Sequence, residues 1–225
     1  MALVERNPPT GFREDSNSDD NDSVFKKERN ADLGRGSPND AVINAKFRHF
    51  ARRYIVNQLR KKGFEDVASK HDTASDTAEP ENGSQHLLHH LAGNLAEERE
   101  RQFEDILSRL GLTDDNLSET YSVIVQEMFI DGVNWGRILA FLVFSGALAV
   151  HCAREGMENR VGDVISWTQN DVERTVSRWV VEQGGWRAFV DHFDAGTWTI
   201  DSPQCILAGI LLILAGGFYL LKKLF

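Results

Sequence analysis

Between Ala41 and Phe193, apolar residues return at intervals of three or four, the period of a helix that buries one face. In AVINAKFRHFARRYIVNQLRKKGF, Val42, Ile43, Phe47, Phe50, Tyr54, Ile55 and Leu59 keep close to this spacing. Arg60, Lys61 and Lys62 ahead of Gly63 then form a stop signal. The spacing returns through Leu87, Leu88, Leu91, Leu95, Phe103, Ile106, Leu107 and Leu110, and Gly111 ends it. Thr113 and Ser118 are candidate caps for short helices that turn Tyr121, Ile124, Val125 and Met128 inward. Asn134 is a good N-cap for a helix from Trp135 to Val150, in which thirteen uncharged residues follow Arg137. That helix is apolar all round, so it should be enclosed by protein, and its uncharged run is shorter than a bilayer span requires. A further amphipathic helix over 161–181 turns Val164, Ile165, Trp167, Val172, Val176 and Trp179 inward. Gly184 and Gly185 break it, and Trp186, Phe189, Val190 and Phe193 make a short closing helix. No period-two strand pattern competes with these elements. The expected fold class is all-α: a bundle wrapped around one central hydrophobic helix.

The stretches outside this pattern set the domain organisation. Residues 1–40 are rich in Asp, Asn, Ser, Gly and Pro and cannot bury enough surface to offset their ordering entropy, so a disordered extension is expected there. A helical domain follows over 41–200, with a polar, flexible linker at 65–85 inside it. The run QCILAGILLILAGGFYLL, residues 204–221, is uncharged and is followed by Lys222 and Lys223. At 1.5 Å per residue its eighteen positions reach about 27 Å, nearly the ~30 Å hydrocarbon core. A C-terminal transmembrane anchor inserted after translation is the expectation, because one amphipathic bundle needs no second all-apolar helix. A short anchor with basic flanks suits a thin membrane.

Charge and chemistry narrow the function. A net charge of −9 argues against a general nucleic-acid binder. Cys152 and Cys205 cannot make a disulfide framework, and MALVERNPPTGFRE lacks the apolar run of a signal peptide, so a reduced, cytosol-facing location is expected. Seven basic and no acidic side chains lie from Lys46 to Lys62, which fits a solvated polar face or, less simply, contact with an anionic membrane or partner. His86, His89 and His90 have helical metal spacing but no companion Cys, and His151-Cys152 lacks an orienting acid. With no phosphate loop, dinucleotide fingerprint or nucleophile elbow either, the chain is expected to be a binding protein: no enzyme, no catalytic residue, no metal and no cofactor.

One charge stands out in EMFIDGVNWGRILAFLVF. Arg137 lies in the first turn of the most apolar helix, at the positive end of its dipole, which opposes a cation by a few tenths of a kcal/mol. It is either a solvated arginine at a helix start or a recognition arginine for a partner's carboxylate. The run DGVNWGR, Asp131 to Arg137, resembles the first homology motif of the Bcl-2 family of apoptosis regulators. WVVEQGGWRAFVDHF, Trp179 to Phe193, resembles the second, at the family's spacing, and YIVNQLRKKGF resembles the fourth. The resemblance covers roughly residues 47–225, and the order NWGR, GGW, hydrophobic tail is highly specific.

The resemblance implies a helical bundle whose groove receives the amphipathic killer helix of a pro-apoptotic relative, with that helix's Asp pairing with Arg137. Asn134 and Gly136 would sit beside it, and Ala140 and Phe144 would line the floor. Ile124, Glu127 and Met128 precede the motif, Leu95, Phe103 and Ile106 would form the opposite wall, and Phe193 would close the far end. For Ile124 and Ile106, plain core packing is an equal alternative. The implied partners are killer-helix proteins and Bax- or Bak-like effectors. The implied place is the mitochondrial outer membrane, facing the cytosol, with the endoplasmic reticulum and cytosol as further sites. The third homology motif departs from the family pattern. LHHLAGNL, Leu88 to Leu95, has Ala92 at the small position, Gly93 where the family has Asp, and Leu95 where it has Phe. Without that Asp this segment is a poor ligand for another member's arginine. Arg187 also replaces an acidic residue common in the survival branch. A prosurvival regulator is the leading expectation, and a pore-forming effector of the Bax or Bak type is the alternative. A tail-anchored adaptor with an inert core is a third.

Overall fold

The computed structural model describes residues 38–72 and 83–194. The expected N-terminal extension up to residue 37, the middle of the linker and the C-terminal anchor lie outside the described residues. Within them the chain is helical throughout. The elements are α1 (Pro38–Lys61), α2 (Glu65–Lys70), α3 (Gly83–Arg109), α4 (Leu117–Phe129) and α5 (Trp135–Arg154). A 3₁₀ turn (Glu158–Arg160), α6 (Val161–Asp171), a π-helical segment (Val172–Val176), α7 (Ser177–Glu182) and α8 (Trp186–Asp194) follow.

α5 is the centre. It is long and apolar enough to cross a membrane, yet protein encloses it: Ile138 through Gly146 are all buried, and burial runs on from Leu148 to Ala153. Helices α3, α4 and α6 pack around it. Burying side chains such as Phe141 and Phe144 stabilises the fold by about 1.5–3 kcal/mol each. The one hydroxyl in that stretch, on Ser145, donates to the Phe141 carbonyl at 2.8 Å, so no polar group is stranded there. On α1, Phe47, Phe50, Tyr54, Ile55 and Leu59 join the same core, as the spacing predicts, whereas Val42 is exposed.

The basic face of α1 meets the chain's own acids. Arg48 pairs with Glu173 at 3.0 Å, Arg60 with Glu65 at 3.2 Å and with Asp72, Lys61 with Glu97 at 3.4 Å, and Lys62 with Glu100. Arg52 donates twice to the carbonyl of His71, at 2.9 and 2.7 Å. Four of the seven cations in that run, Arg48, Arg60, Lys61 and Lys62, thus pair with acids of the same chain.

Three local differences from expectation have physical causes. The start of the expected linker is helical, because Val67 and Ala68 of α2 are buried and Glu65 and Asp66 suit its first turn. The cap before α4 is at Asn116; Ser118 is the second residue of that helix, and Thr113 supports the preceding turn. There the Thr113 N–H donates to Asn116 Oδ1 at 2.8 Å. The helix expected over 161–181 contains the π segment, where Ser177 Oγ donates to the carbonyl of Val172, five residues back, at 2.9 Å.

Burial also perturbs several titratable groups. Desolvation pushes the Cys152 thiol up to about 12 and lowers His151 below the usual imidazole value. It raises the Asp171 carboxyl, which accepts a 2.9 Å hydrogen bond from the Tyr121 hydroxyl.

Candidate partner-helix groove

The turn between α4 and α5 builds the arginine site. Gly132 takes φ +94°, a conformation a side chain would resist, and reverses the chain between the two helices. Asn134 is extended, and its Oδ1 accepts the Arg137 backbone N–H at 2.8 Å, as the capping pattern predicts. The cap holds the first turn of α5, so Arg137 projects from a fixed backbone. Its side chain is 21% exposed. The guanidinium donates to the Gly132 carbonyl at 2.6 Å and to Asp131 Oδ2 at 3.1 Å. Asp131 is itself 78% exposed. Arg137 is thus oriented by its own turn and held by one weak, solvated counter-charge that an incoming carboxylate can displace.

The two motifs meet in space. Trp135 packs edge-on against Trp179 at 4.6 Å and Phe189 at 5.4 Å, and lies 6.0 Å from Trp186. Gly184 and Gly185, at φ +97° and +78°, turn the chain so that α8 starts at Trp186. Trp186 reaches Phe47 of α1 at 4.5 Å, and Phe189 reaches Phe193 at 4.6 Å. One aromatic cluster therefore joins α1, α5, α7 and α8 behind Arg137.

The remaining expected groove residues fall into two groups. Leu95, Phe103, Ile124, Met128, Ala140 and Phe144 are at most 7% exposed and belong to a single core cluster. Ile106 and Phe193 are partly buried and pack against that cluster, and Glu127 and Gly136 are half-buried. The floor is thus covered by the chain's own helices, and only the rim shows. A partner helix would have to part the enclosing helices to reach Ala140 and Phe144.

Sequence reasoning missed Arg99. It stands four residues after Leu95, four before Phe103 and seven before Ile106, in the middle of the apolar stripe of α3. The side chain is 20% exposed, and its Nε is enclosed without a hydrogen-bond partner. The signal was legible as a basic residue interrupting a helical apolar repeat, but the surrounding AEERERQ makes it look like part of a solvated charge run.

Comparison with known proteins bears on the fold and the family. Residues 88–186 match the family model for apoptosis regulator proteins of the Bcl-2 family. The chain is 41% identical to chicken Bcl-2-like protein 1 over 93 residues, 41% of each protein. It is 34% identical to dog apoptosis regulator Bcl-2 over 122 residues, covering 54% of this chain and 52% of that one. The chain thus spans about half the length or less of the curated relatives it matches. Among solved structures, Trichoplax adhaerens trBcl-2L2 bound to trBak BH3 is similar with a TM-score of 0.58 and 28% identity. That match covers 67% of this chain and 98% of that one. With the NWGR turn, the GGW turn and the enclosed central helix in the family's order, residues 88–186 are similar to the Bcl-2 family of apoptosis regulators in sequence and in fold.

Proposed function

We propose that the protein is a prosurvival regulator that captures the amphipathic killer helices of pro-apoptotic relatives in this groove and so blocks permeabilisation of the mitochondrial outer membrane. It works by binding, without catalysis. The observation that carries the reading is Arg137: a side chain four-fifths buried at the head of the central helix, oriented by a capped turn and matched, among the described residues, by the exposed Asp131. A cation so placed has a partner's carboxylate as its natural complement. The solved relative bound to a Bak BH3 segment supports a helix as the ligand. Gly93 supports the survival branch, since the chain's own third motif has no carboxylate to offer another member's arginine. The apolar run at 204–221 would anchor the protein, facing the cytosol, in the mitochondrial outer membrane or the endoplasmic reticulum.

The test pairs binding with a membrane assay. Full-length protein in mild detergent is titrated with labelled Bak BH3 peptide, beside Arg137→Ala and a peptide lacking its acidic residue. Tight binding that collapses in both controls is expected. In liposomes the protein should suppress release of contents driven by a Bax-type effector. Release caused by this protein itself would overturn the prosurvival reading in favour of an effector.

A further inference from the structure

We propose that a cavity between α1, α3 and the C-terminal half of α5 is a binding site for a small neutral alcohol. Arg137 heads the other end of α5, so the site is separate from the helix-in-groove reading and goes beyond it. The cavity measures about 50 Å³ and is lined by Tyr54 and Gln58 of α1, Phe103 and Leu107 of α3, and Val150 and His151 of α5. Gln58 is the group that points to a ligand. It is 6% exposed, and its Nε2 is enclosed without a hydrogen-bond partner among the described residues. Gly146, also on the cavity wall, lets α1 press this glutamine against α5, since a Cβ there would lie 3.1 Å from Gln58 Cγ. The neighbouring Tyr54 hydroxyl is already engaged by the Ala92 carbonyl at 3.2 Å.

A stranded amide N–H costs stability that an apolar residue of the same shape would not, so packing alone does not account for a glutamine here. Its complement is an acceptor. Burial lowers His151, which stays neutral near pH 7 and keeps one ring nitrogen free to accept a proton donor. One hydroxyl answers both groups, accepting from Gln58 and donating to His151. The charges around the cavity are already matched: Lys62 pairs with Glu100, and Arg154 with Glu104 at 2.8 Å, which leaves no net charge to attract an ionic ligand. A water needs two to four polar partners and only about 10–15 Å³, whereas this space is larger and is walled by Phe103, Leu107 and Val150. It is also well below the ~150 Å³ that admits benzene, so a few aliphatic carbons suit it better than a ring.

The test is a nuclear magnetic resonance titration of full-length protein in mild detergent, with labelled Val, Leu and Ala methyl groups and labelled Gln side-chain amides. The probes are 1-butanol and its isomer methyl propyl ether, which accepts a hydrogen bond but donates none. 1-Butanol should shift the Gln58 amide and the Leu107 and Val150 methyl signals saturably, while Val161 and Val164 of α6 stay in place as references. It should bind about fivefold or more tightly than the ether, the worth of one hydrogen bond. Gln58→Leu, which removes the stranded amide without opening a hole, should weaken 1-butanol about fivefold or more. Ala147 also lines the cavity, and Ala147→Leu should fill it and abolish the saturable shifts, which covers the case of a poorly folded Gln58 variant. Shifts that stay linear in the wild type, or equal affinities for the two isomers, overturn the proposal and leave a cavity that holds water or detergent only. Unchanged saturable binding in both variants overturns it too, by placing the alcohol elsewhere. All of these outcomes leave the groove reading standing.

Discussion

On the proposed function, Asp131 is the counter-charge that a partner's carboxylate would meet first, and removing it should tighten binding. Its carboxylate makes one 3.1 Å contact with Arg137 Nη2 while remaining 78% exposed. Pairs this open to solvent contribute about 0.2–1 kcal/mol. Relief of the competition in Asp131→Ala should therefore improve affinity for an acid-bearing helix by no more than about fivefold. Arg137 stays in place in that variant, because the Asn134 cap and the 2.6 Å bond to the Gly132 carbonyl do not involve the Asp131 side chain. Arg137→Ala should behave in the opposite sense. Truncating one partner of an enclosed charge pair costs about 2–5 kcal/mol, a loss of roughly 30-fold to several thousandfold. Fluorescence anisotropy with labelled Bak BH3 peptide, near physiological ionic strength, separates the two outcomes in one titration series. A peptide without its acidic residue should bind both variants equally. If Asp131→Ala instead weakens binding as severely as Arg137→Ala, the aspartate is part of the docked interface and the competition argument is refuted.

Further perturbations test the scaffold. Gly93→Ala should stabilise the protein by about 1 kcal/mol, or about 2–4 °C in a thermal melt. It restores helix propensity inside α3, where the new Cβ would meet only Lys61 Nζ at 3.8 Å; an unchanged or lower Tm contradicts this. Gly146→Val should destabilise by about 1–3 kcal/mol, since even a Cβ there lies 3.0 Å from Tyr54 Cε1 and 3.1 Å from Gln58 Cγ, and a Tm at or above wild type would refute it. The Tyr54 ring has little room to yield, because it is fully buried and its hydroxyl donates to the Ala92 carbonyl at 3.2 Å. Acidification should cost stability in the histidine range. Burial lowers both His151 and His71 in the fold, so the unfolded chain takes up protons first, and stability is lost as pH falls below about 6.5. Asp171, raised by burial, acts with the opposite sign only nearer the carboxylate range. A melt at about pH 5.5 no lower than at about pH 7.5, or a His151→Gln variant with the same pH slope, would count against that assignment.

Signals that are local in the chain were legible. Thirteen uncharged residues behind an Asn cap define α5, and paired glycines define the turn into α8, because each rests on neighbouring residues alone. The position of Arg137 followed from the same cap. Signals that depend on distant partners were not legible. The basic face of α1 showed its pairing only when α2, α3 and the π segment supplied the acids. Glu65–Lys70 looked like linker because its six residues offer one strongly apolar side chain, Val67, whose burial depends on the rest of the bundle. The enclosure of Ala140, Phe144, Met128 and Leu95 is a property of how closely helices approach, and periodicity says which face is apolar without saying what covers it. Arg99 was hidden by neighbours of like polarity in the charged run AEERERQ.

The π segment sets the phase of everything after it. One extra residue in a turn rotates the following helix by about 100° relative to an uninterrupted one. The shim lies between the face of α6 that holds Val161, Val164 and Thr168 on the core and the face of α7 that carries Trp179 to Trp135. Removing one residue from Val172–Val176 would leave the composition nearly unchanged. It would also swing Trp179 away from Trp135 and misalign Gly184, Gly185 and Trp186 with the aromatic cluster behind Arg137. The distance in residues between the two homology motifs is, on this view, an angular specification as much as a length.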